Sequence, residues 1–183
     1  MTPEQVLDYP HAAPPPPGAT REVAPGVHWL RMPLPFALDH INLWLLEDGD
    51  ALAIVDCGLG NETTRALWRE IIGRFFLGRR VSRVIVTHLH PDHAGNAAWL
   101  TEQFHAPLWM SQADYIMAHA WRDQAAGYSI DQLMRHLAHN GLLDERHEVL
   151  ATRGNAYARG VPEFPHAYRR IMEGDEIRIG RRA

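Results

Sequence analysis

The chain has 183 residues, enough for one ordinary domain, and 18 Lys+Arg stand against 22 Asp+Glu for a formal net charge of −4. That balance gives no support to a nucleic-acid or anionic-membrane partner. The 46% hydrophobic and 22% charged composition argues against disorder, and a lone cysteine, Cys57, excludes an internal disulfide framework. The unusual count is histidine, 12 in all, which directs the search to metal ligands.

Residues 1–26 read as a flexible arm, with a four-proline run at 14–17 in extended form, and 27–183 as one domain. The arm opens with Glu4 and Asp8 rather than a basic segment and an apolar one, so it does not read as a secretory signal. No apolar run reaches the roughly 18–20 residues of a membrane span, and a cytoplasmic protein is expected. Residues 27–57 read as strands. Val27, Trp29 and Arg31 alternate with His28 and Leu30, and the runs 41–47 and 51–56 flank Asp48-Gly49 as in a hairpin. Residues 61–77 read as a helix capped by Asn61. Leu67, Ile71 and Phe75 recur at i+4 beside Trp68, Ile72 and Phe76, and Gly78 is placed to stop it.

The β-branched run 81–87 predicts a buried strand, 94–104 a short helix and 107–110 a short strand. Ser111 is placed to cap a helix whose inward stripe is Ala113, Ile116, Met117, Ala120 and Trp121. Ser129 with Gln132 fits a capping box for a second helix, with Ile130, Leu133, Met134 and Leu137 inward and Gly141 as its stop. A third, shorter helix follows at 144–151. Residues 174–180, GDEIRIG, read as the start of a strand.

The sharpest feature is Thr87-His88-Leu89-His90-Pro91-Asp92-His93, directly after a predicted strand. His88 and His90 lie at i and i+2, so extended backbone points both imidazoles the same way. Pro91 turns the chain, and Asp92 and His93 emerge where the next helix begins. Imidazole and carboxylate together suit zinc, and also iron or manganese. The small residues Ala94, Gly95 and Asn96 let this backbone pack closely.

The segment THLHPDHAGN resembles the H-x-H-x-D-H signature of the metallo-β-lactamase superfamily, most of whose members are metal-dependent hydrolases. The resemblance covers about residues 24–180 and includes Asp56-Cys57-Gly58, which matches the family's D-x-G turn. It implies an α+β chain of the αββα sandwich type, mainly the first half, with a helical insertion at 111–151. It also implies that His88 and His90 bind one metal and Asp92 and His93 a second, with Asp56 orienting the site from behind. Two Zn²⁺ ions are expected in the complete fold, with Fe or Mn as alternatives. Between the ions a hydroxide is expected, and Asp92 acts both as ligand and as the catalytic group that orients it.

His93 after Asp92 resembles the glyoxalase II and lactonase branches. A thioester or ester therefore ranks first as the bond cleaved, ahead of a lactone or lactam. A mononuclear iron persulfide dioxygenase shares the signature and is the alternative enzyme. A nuclease is disfavoured by the net charge, and a non-catalytic metal-binding module is the alternative from another class. The substrate is expected to be a small molecule, with neither nucleic acid nor membrane as partner.

The family's remaining ligands normally lie in its second half, the first of them in G-H-x-x-x-H after a strand like GDEIRIG. They are therefore expected beyond Ala183, in a missing C-terminal half or a second copy. His88, His90, Asp92 and His93 alone would give two protein ligands per metal, so weak metal binding and little activity are expected of these residues by themselves. His166 is the best internal substitute. Because insertions in this family often build the substrate pocket, Tyr115 and Trp121, with Trp109 and Tyr128, are candidate lining residues, as is His40 ahead of INLWLL.

Overall fold

Alternation at the start of the domain sets the sheet. A computed structural model describes residues 10–11 and 13–180. In it β2 (Val27–Pro33) buries His28, Leu30 and Met32 on one side and turns Trp29 and Arg31 to the other. It pairs antiparallel with β3 (His40–Asp48), which does the same with Leu43 and Leu45. The Asp48-Gly49 turn returns the chain as β4 (Ala51–Val55), antiparallel to β3, so the expected hairpin forms. Beyond it β5 (Val81–Ile85), β6 (Leu108–Ser111) and β7 (Arg169–Ile171) are added in parallel, giving one seven-stranded sheet in chain order.

The first strand of that sheet, β1 (Thr20–Ala24), falls inside the expected arm. A Pro-Gly turn explains this: Gly26 takes φ +68°, its N–H donates to the Glu22 carboxylate at 2.8 Å, and β1 folds back on β2. Strand β1 thus takes residues 20–24 out of the expected arm. A Cβ on Gly18 would sit 2.8 Å from the Glu70 carboxylate.

Parallel strands need crossovers, and these are helical. Between β4 and β5 runs α1 (Glu62–Ile71), whose cap Asn61 accepts from the Thr64 N–H at 2.9 Å. It buries Trp68 and Ile71, continues as a wider π-type turn over Ile72–Phe76, and ends on Leu77 and Gly78, both at positive φ. Between β5 and β6 lie α2 (Pro91–Ala94) and α3 (Ala97–Phe104). Between β6 and β7 lie α4 (Gln112–Arg122), α5 (Ile130–His139), α6 (Glu145–Arg153) and α7 (Ala156–Gly160). Ser111 and Ser129 cap α4 and α5 as their spacing implies, accepting from Asp114 N and Gln132 N.

The inward stripes of those two helices differ from expectation. In α4 the buried residue is Ala118, with Tyr115, Met117 and Trp121 packed on the core, while Ala113 and Ile116 face solvent. In α5 Met134 is buried and Leu133 exposed. Periodicity alone admits either face of a helix this apolar, and the neighbour it meets selects one.

The core has two sides. Leu30, Met32, Leu43, Leu45, Ile54, Val84 and Leu108 meet α1 and α3 on one face. On the other, Ala53 and Ile85 are covered by Ile179, with Val55, Trp109 and Ile177 around them. Residues 174–180 are thus not a further strand beside β6. Arg169–Ile171 takes that place, and a turn then reverses the chain. There Met172 N–H donates to Asp175 Oδ2 at 2.8 Å, and Gly174 takes φ +85°. The tail crosses the sheet and is tied by Gly180 N–H to Asp48 Oδ1 at 2.8 Å.

Candidate metal centre

The loop after β5 collects its side chains as the spacing implies. His88 Nε2 lies 3.0 Å from His90 Nδ1, and the His88 and His93 rings are 3.9 Å apart. Asp92 Oδ2 lies 3.6 Å from His93 Nε2. Asp56 stands at the end of β4 in the left-handed region, φ +62°, with its side chain 6% exposed. A buried carboxylate is stable there only if it is hydrogen-bonded, and this one accepts from Thr87 N–H at 2.8 Å, Thr87 Oγ1 at 2.9 Å and His93 Nδ1 at 2.8 Å.

These bonds set proton positions. A carboxylate only accepts, so His93 Nδ1 carries the proton and Nε2 is left to face Asp92. The single Thr87 hydroxyl proton is donated to Asp56. Thr87 Oγ1 therefore accepts from His88 Nδ1, 3.0 Å away, and His88 Nε2 presents its lone pair toward His90. Burial pushes the His88 pKa down, with the neighbouring His93 and His90 acting the same way. Burial would also lower His93, but its hydrogen bond to Asp56 and the charges of Asp56 and Asp92 hold it above its ordinary value.

The donors fall into two pairs. Two ligands each about 2.0–2.1 Å from a tetrahedral zinc are about 3.3 Å apart, and the separations here, 3.0 Å for His88/His90 and 3.6 Å for Asp92/His93, lie on either side of that value. Among the described residues no three His, Cys, Asp or Glu side chains are arranged around one point. Imidazole and carboxylate suit divalent metal in type, and each of these two separations is one that a single ion could span.

Loop placement comes from parts of the chain that sequence reading left unassigned. Thr87, directly before the motif, is the link between Asp56 and His88. Cys57 N–H donates to His93 O at 2.7 Å, joining the Asp56-Cys57-Gly58 turn to the motif. Asn96, fully buried, donates to Leu59 O at 2.8 Å and accepts from Arg65 Nε at 3.1 Å. Leu89, between the two histidines, donates its N–H to Asp114 Oδ1 at 3.1 Å, and its carbonyl accepts from the Tyr157 hydroxyl at 2.8 Å. Burial raises the pKa of Tyr157, and the Asp114 charge adds to this, so the hydroxyl stays a donor. Of these, Thr87, Leu89 and Asn96 lie within or beside the motif, whereas Cys57, Asp114 and Tyr157 come from distant parts of the chain.

The candidate pocket residues make their contacts elsewhere. Tyr115 stacks on Tyr168 at 3.8 Å and donates its hydroxyl to Pro165 O at 3.0 Å. Trp121 meets Tyr157 edge-on at 5.6 Å. His40 bonds Arg31 and Asp39 and lines a shallow cavity with the prolines at 14–17. His166 stacks near His119 at 6.4 Å, and Trp109 lies beneath Arg83 and Arg169. Tyr128 is exposed. No hydrogen bond or ring contact among the described residues joins His40, Tyr115, Trp121 or His166 to residues 88–93.

A single sheet flanked by helices, with H-x-H-x-D-H at the end of its fifth strand, is the arrangement of one protein class, and similarity to known proteins agrees. Residues 37–170 match the metallo-beta-lactamase superfamily, and the chain belongs to that family. The crystal structure of a beta-lactamase domain protein from Burkholderia ambifaria is 44% identical. It aligns with 96% of this chain and 49% of its own, at a TM-score of 0.78. A metallo-beta-lactamase family protein of Thermus thermophilus, 23% identical, shares the fold over 87% of this chain and 50% of its own, TM-score 0.66. The probable metallo-hydrolase YqjP of Bacillus subtilis is 36% identical over 67 residues, which are 36% of this chain and 21% of that protein. The chain thus spans about half the length of the two solved relatives and less of the curated one. Membership in the family carries with it the use of divalent metal. No helix among the described residues is long and apolar enough to cross a membrane.

One test concerns Asp56. Asp56→Asn removes the charge and places an amide donor against Thr87 or His93, which already donate there. Metal affinity is expected to fall by about 10–100-fold, as for outer partners of metal ligands generally. Titration with Co²⁺ followed by visible absorption checks this.

Proposed function

We propose that this chain carries the first part of the ligand set of a metal-dependent hydrolase acting on a small ester or thioester, with Zn²⁺ at two adjacent positions. The observation that supports it most is the division of four donors into His88/His90 and Asp92/His93 at separations suited to shared ions. Divalent metal, when bound, acts as a Lewis acid and brings the pKa of water from 15.7 to about 7, so hydroxide is available at neutral pH.

The chain's own residues have distinct tasks in this reading. His88 Nε2 and His90 Nδ1 hold one ion, and Asp92 Oδ2 and His93 Nε2 the other. Asp92 also accepts a hydrogen bond from the attacking water and so aims it. Asp56 holds the proton on His93 Nδ1 and, through Thr87, the proton on His88 Nδ1, keeping both Nε2 atoms free. His90 and Thr87 are the exposed members, so substrate approaches from their side. Since the solved relatives are about twice as long, the remaining donors are assigned to a second half of the family fold.

Metal analysis of the full-length protein, second half included, together with assays on a thioester, an ester, a lactone and a lactam tests the proposal. Zinc uptake with fastest turnover of a thioester or ester is expected. A zinc-loaded protein inert toward all four would overturn it. About one iron per chain with oxygen consumption would point instead to persulfide dioxygenase chemistry.

A further inference from the structure

We infer that Asp114 of α4 and Tyr157 of α7 are positioning residues for the metal loop, acting through the main chain of Leu89 to set the separation of His88 and His90. The inference rests on the reading of these histidines as ligands of one ion.

Leu89 is 9% exposed, so its peptide groups cannot rely on water. Both are satisfied from the helical segment that follows β6. Asp114 Oδ1 accepts from the N–H at 3.1 Å, and the Tyr157 hydroxyl donates to the carbonyl at 2.8 Å. Leu89 is also the only residue between the two imidazole-bearing residues. Rotation of its peptides therefore changes the distance between His88 Nε2 and His90 Nδ1 more directly than any motion elsewhere.

Each gripping group is itself held. Asp114 Oδ2 accepts from Ser111 Oγ at 2.6 Å, and Asp114 N–H donates to Ser111 Oγ at 3.0 Å. The Tyr157 ring lies edge-on to Trp121. Asn155, which caps α7, donates from Nδ2 to Arg122 O at 2.9 Å, fastening α7 to the end of α4. At the other end of α7, Gly160 O accepts from Gly60 N–H at 2.9 Å, and a Cβ on Gly160 would lie 2.6 Å from Pro91 Cβ. The short helix α7 is thus pressed against the metal loop on either side of His90. The insertion serves as a buttress for the ligands, a role separate from lining a substrate pocket.

The test uses the full-length protein, second half of the family fold included, with Co²⁺ as probe and three variants. Tyr157→Phe deletes one hydroxyl and keeps the ring. Asp114→Ala deletes the acceptor, and Asp114→Asn restores one. Tyr157→Phe and Asp114→Ala are each expected to weaken Co²⁺ binding about tenfold and to alter its visible d–d spectrum, while Asp114→Asn recovers most of the affinity. Wild-type spectra and affinities in both Tyr157→Phe and Asp114→Ala would overturn the inference. Hydrogen exchange at the Leu89 amide of the unaltered protein gives a second readout that needs no variant. Protection is expected, and exchange as fast as an open loop overturns the clamp. Failure of the unaltered protein to take up Co²⁺ would instead overturn the metal reading on which the inference stands.

Discussion

In the full-length protein His90→Ala is expected to abolish turnover and to lower metal affinity by at least about a hundredfold, since even outer partners of metal ligands cost 10–100-fold when removed. The reason is local. Among the described residues His90 Nδ1 is the hydrogen-bond partner of His88 Nε2 at 3.0 Å, and its removal takes that second donor away. No side chain in the loop replaces it, because His93 is bonded to Asp56 and turned toward Asp92. The metal-free fold should be nearly unaffected, as His90 is exposed and caps nothing with its side chain. Metal content, turnover and a denaturation curve on one preparation separate these effects. Full metal occupancy with retained turnover would contradict the assignment of His90.

Gly95→Ala is expected to destabilise the protein by about 3 kcal/mol, the upper end of the usual cost of overpacking. A Cβ there would lie 2.2 Å from Gly60 N, 2.5 Å from Gly160 O and 2.5 Å from Pro91 O. All three are main-chain atoms, so no side chain can rotate aside. Three segments meet at this point: the turn after β4, the metal loop and the end of α7. Any relief must move the loop that bears the histidines, so metal affinity falls together with stability. Gly73→Ala is the control. Its Cβ would meet nothing within 4 Å, and a change within about 0.5 kcal/mol is expected. Urea denaturation of both variants measures the difference, and equal midpoints would show that the three-glycine contact is not tight.

Much of this was legible in the chain itself because it depends on near neighbours. Strands β2 to β4 follow from alternation and an Asp-Gly turn. The helix caps Asn61, Ser111 and Ser129 follow from a side chain reaching a backbone N–H three residues on. The four donors lie within six residues, and extended backbone followed by Pro91 is enough to gather them. Where local rules ran out, the sequence was ambiguous for a physical reason. GDEIRIG has strand-forming residues, yet a neighbouring turn sends it across the sheet face onto Ala53 and Ile85. Ile116 and Leu133 are apolar at helical spacing, yet they face solvent because the core meets the other side of each helix.

The sequence by itself determined which donor atoms stand together in one loop; the tertiary structure decided what holds them. Asp56 reaches His93 across 37 positions, Asp114 reaches Leu89 across 25, and Tyr157 reaches it across 68. Single hydrogen bonds over such separations leave no periodic trace in a sequence. They exist only after the sheet has brought the ends of β4, β5 and β6 side by side and α7 has closed on Gly60 and Gly95. Packing of distant segments, which obeys shape rather than spacing, is what turns a histidine-rich loop into an ordered set of donors.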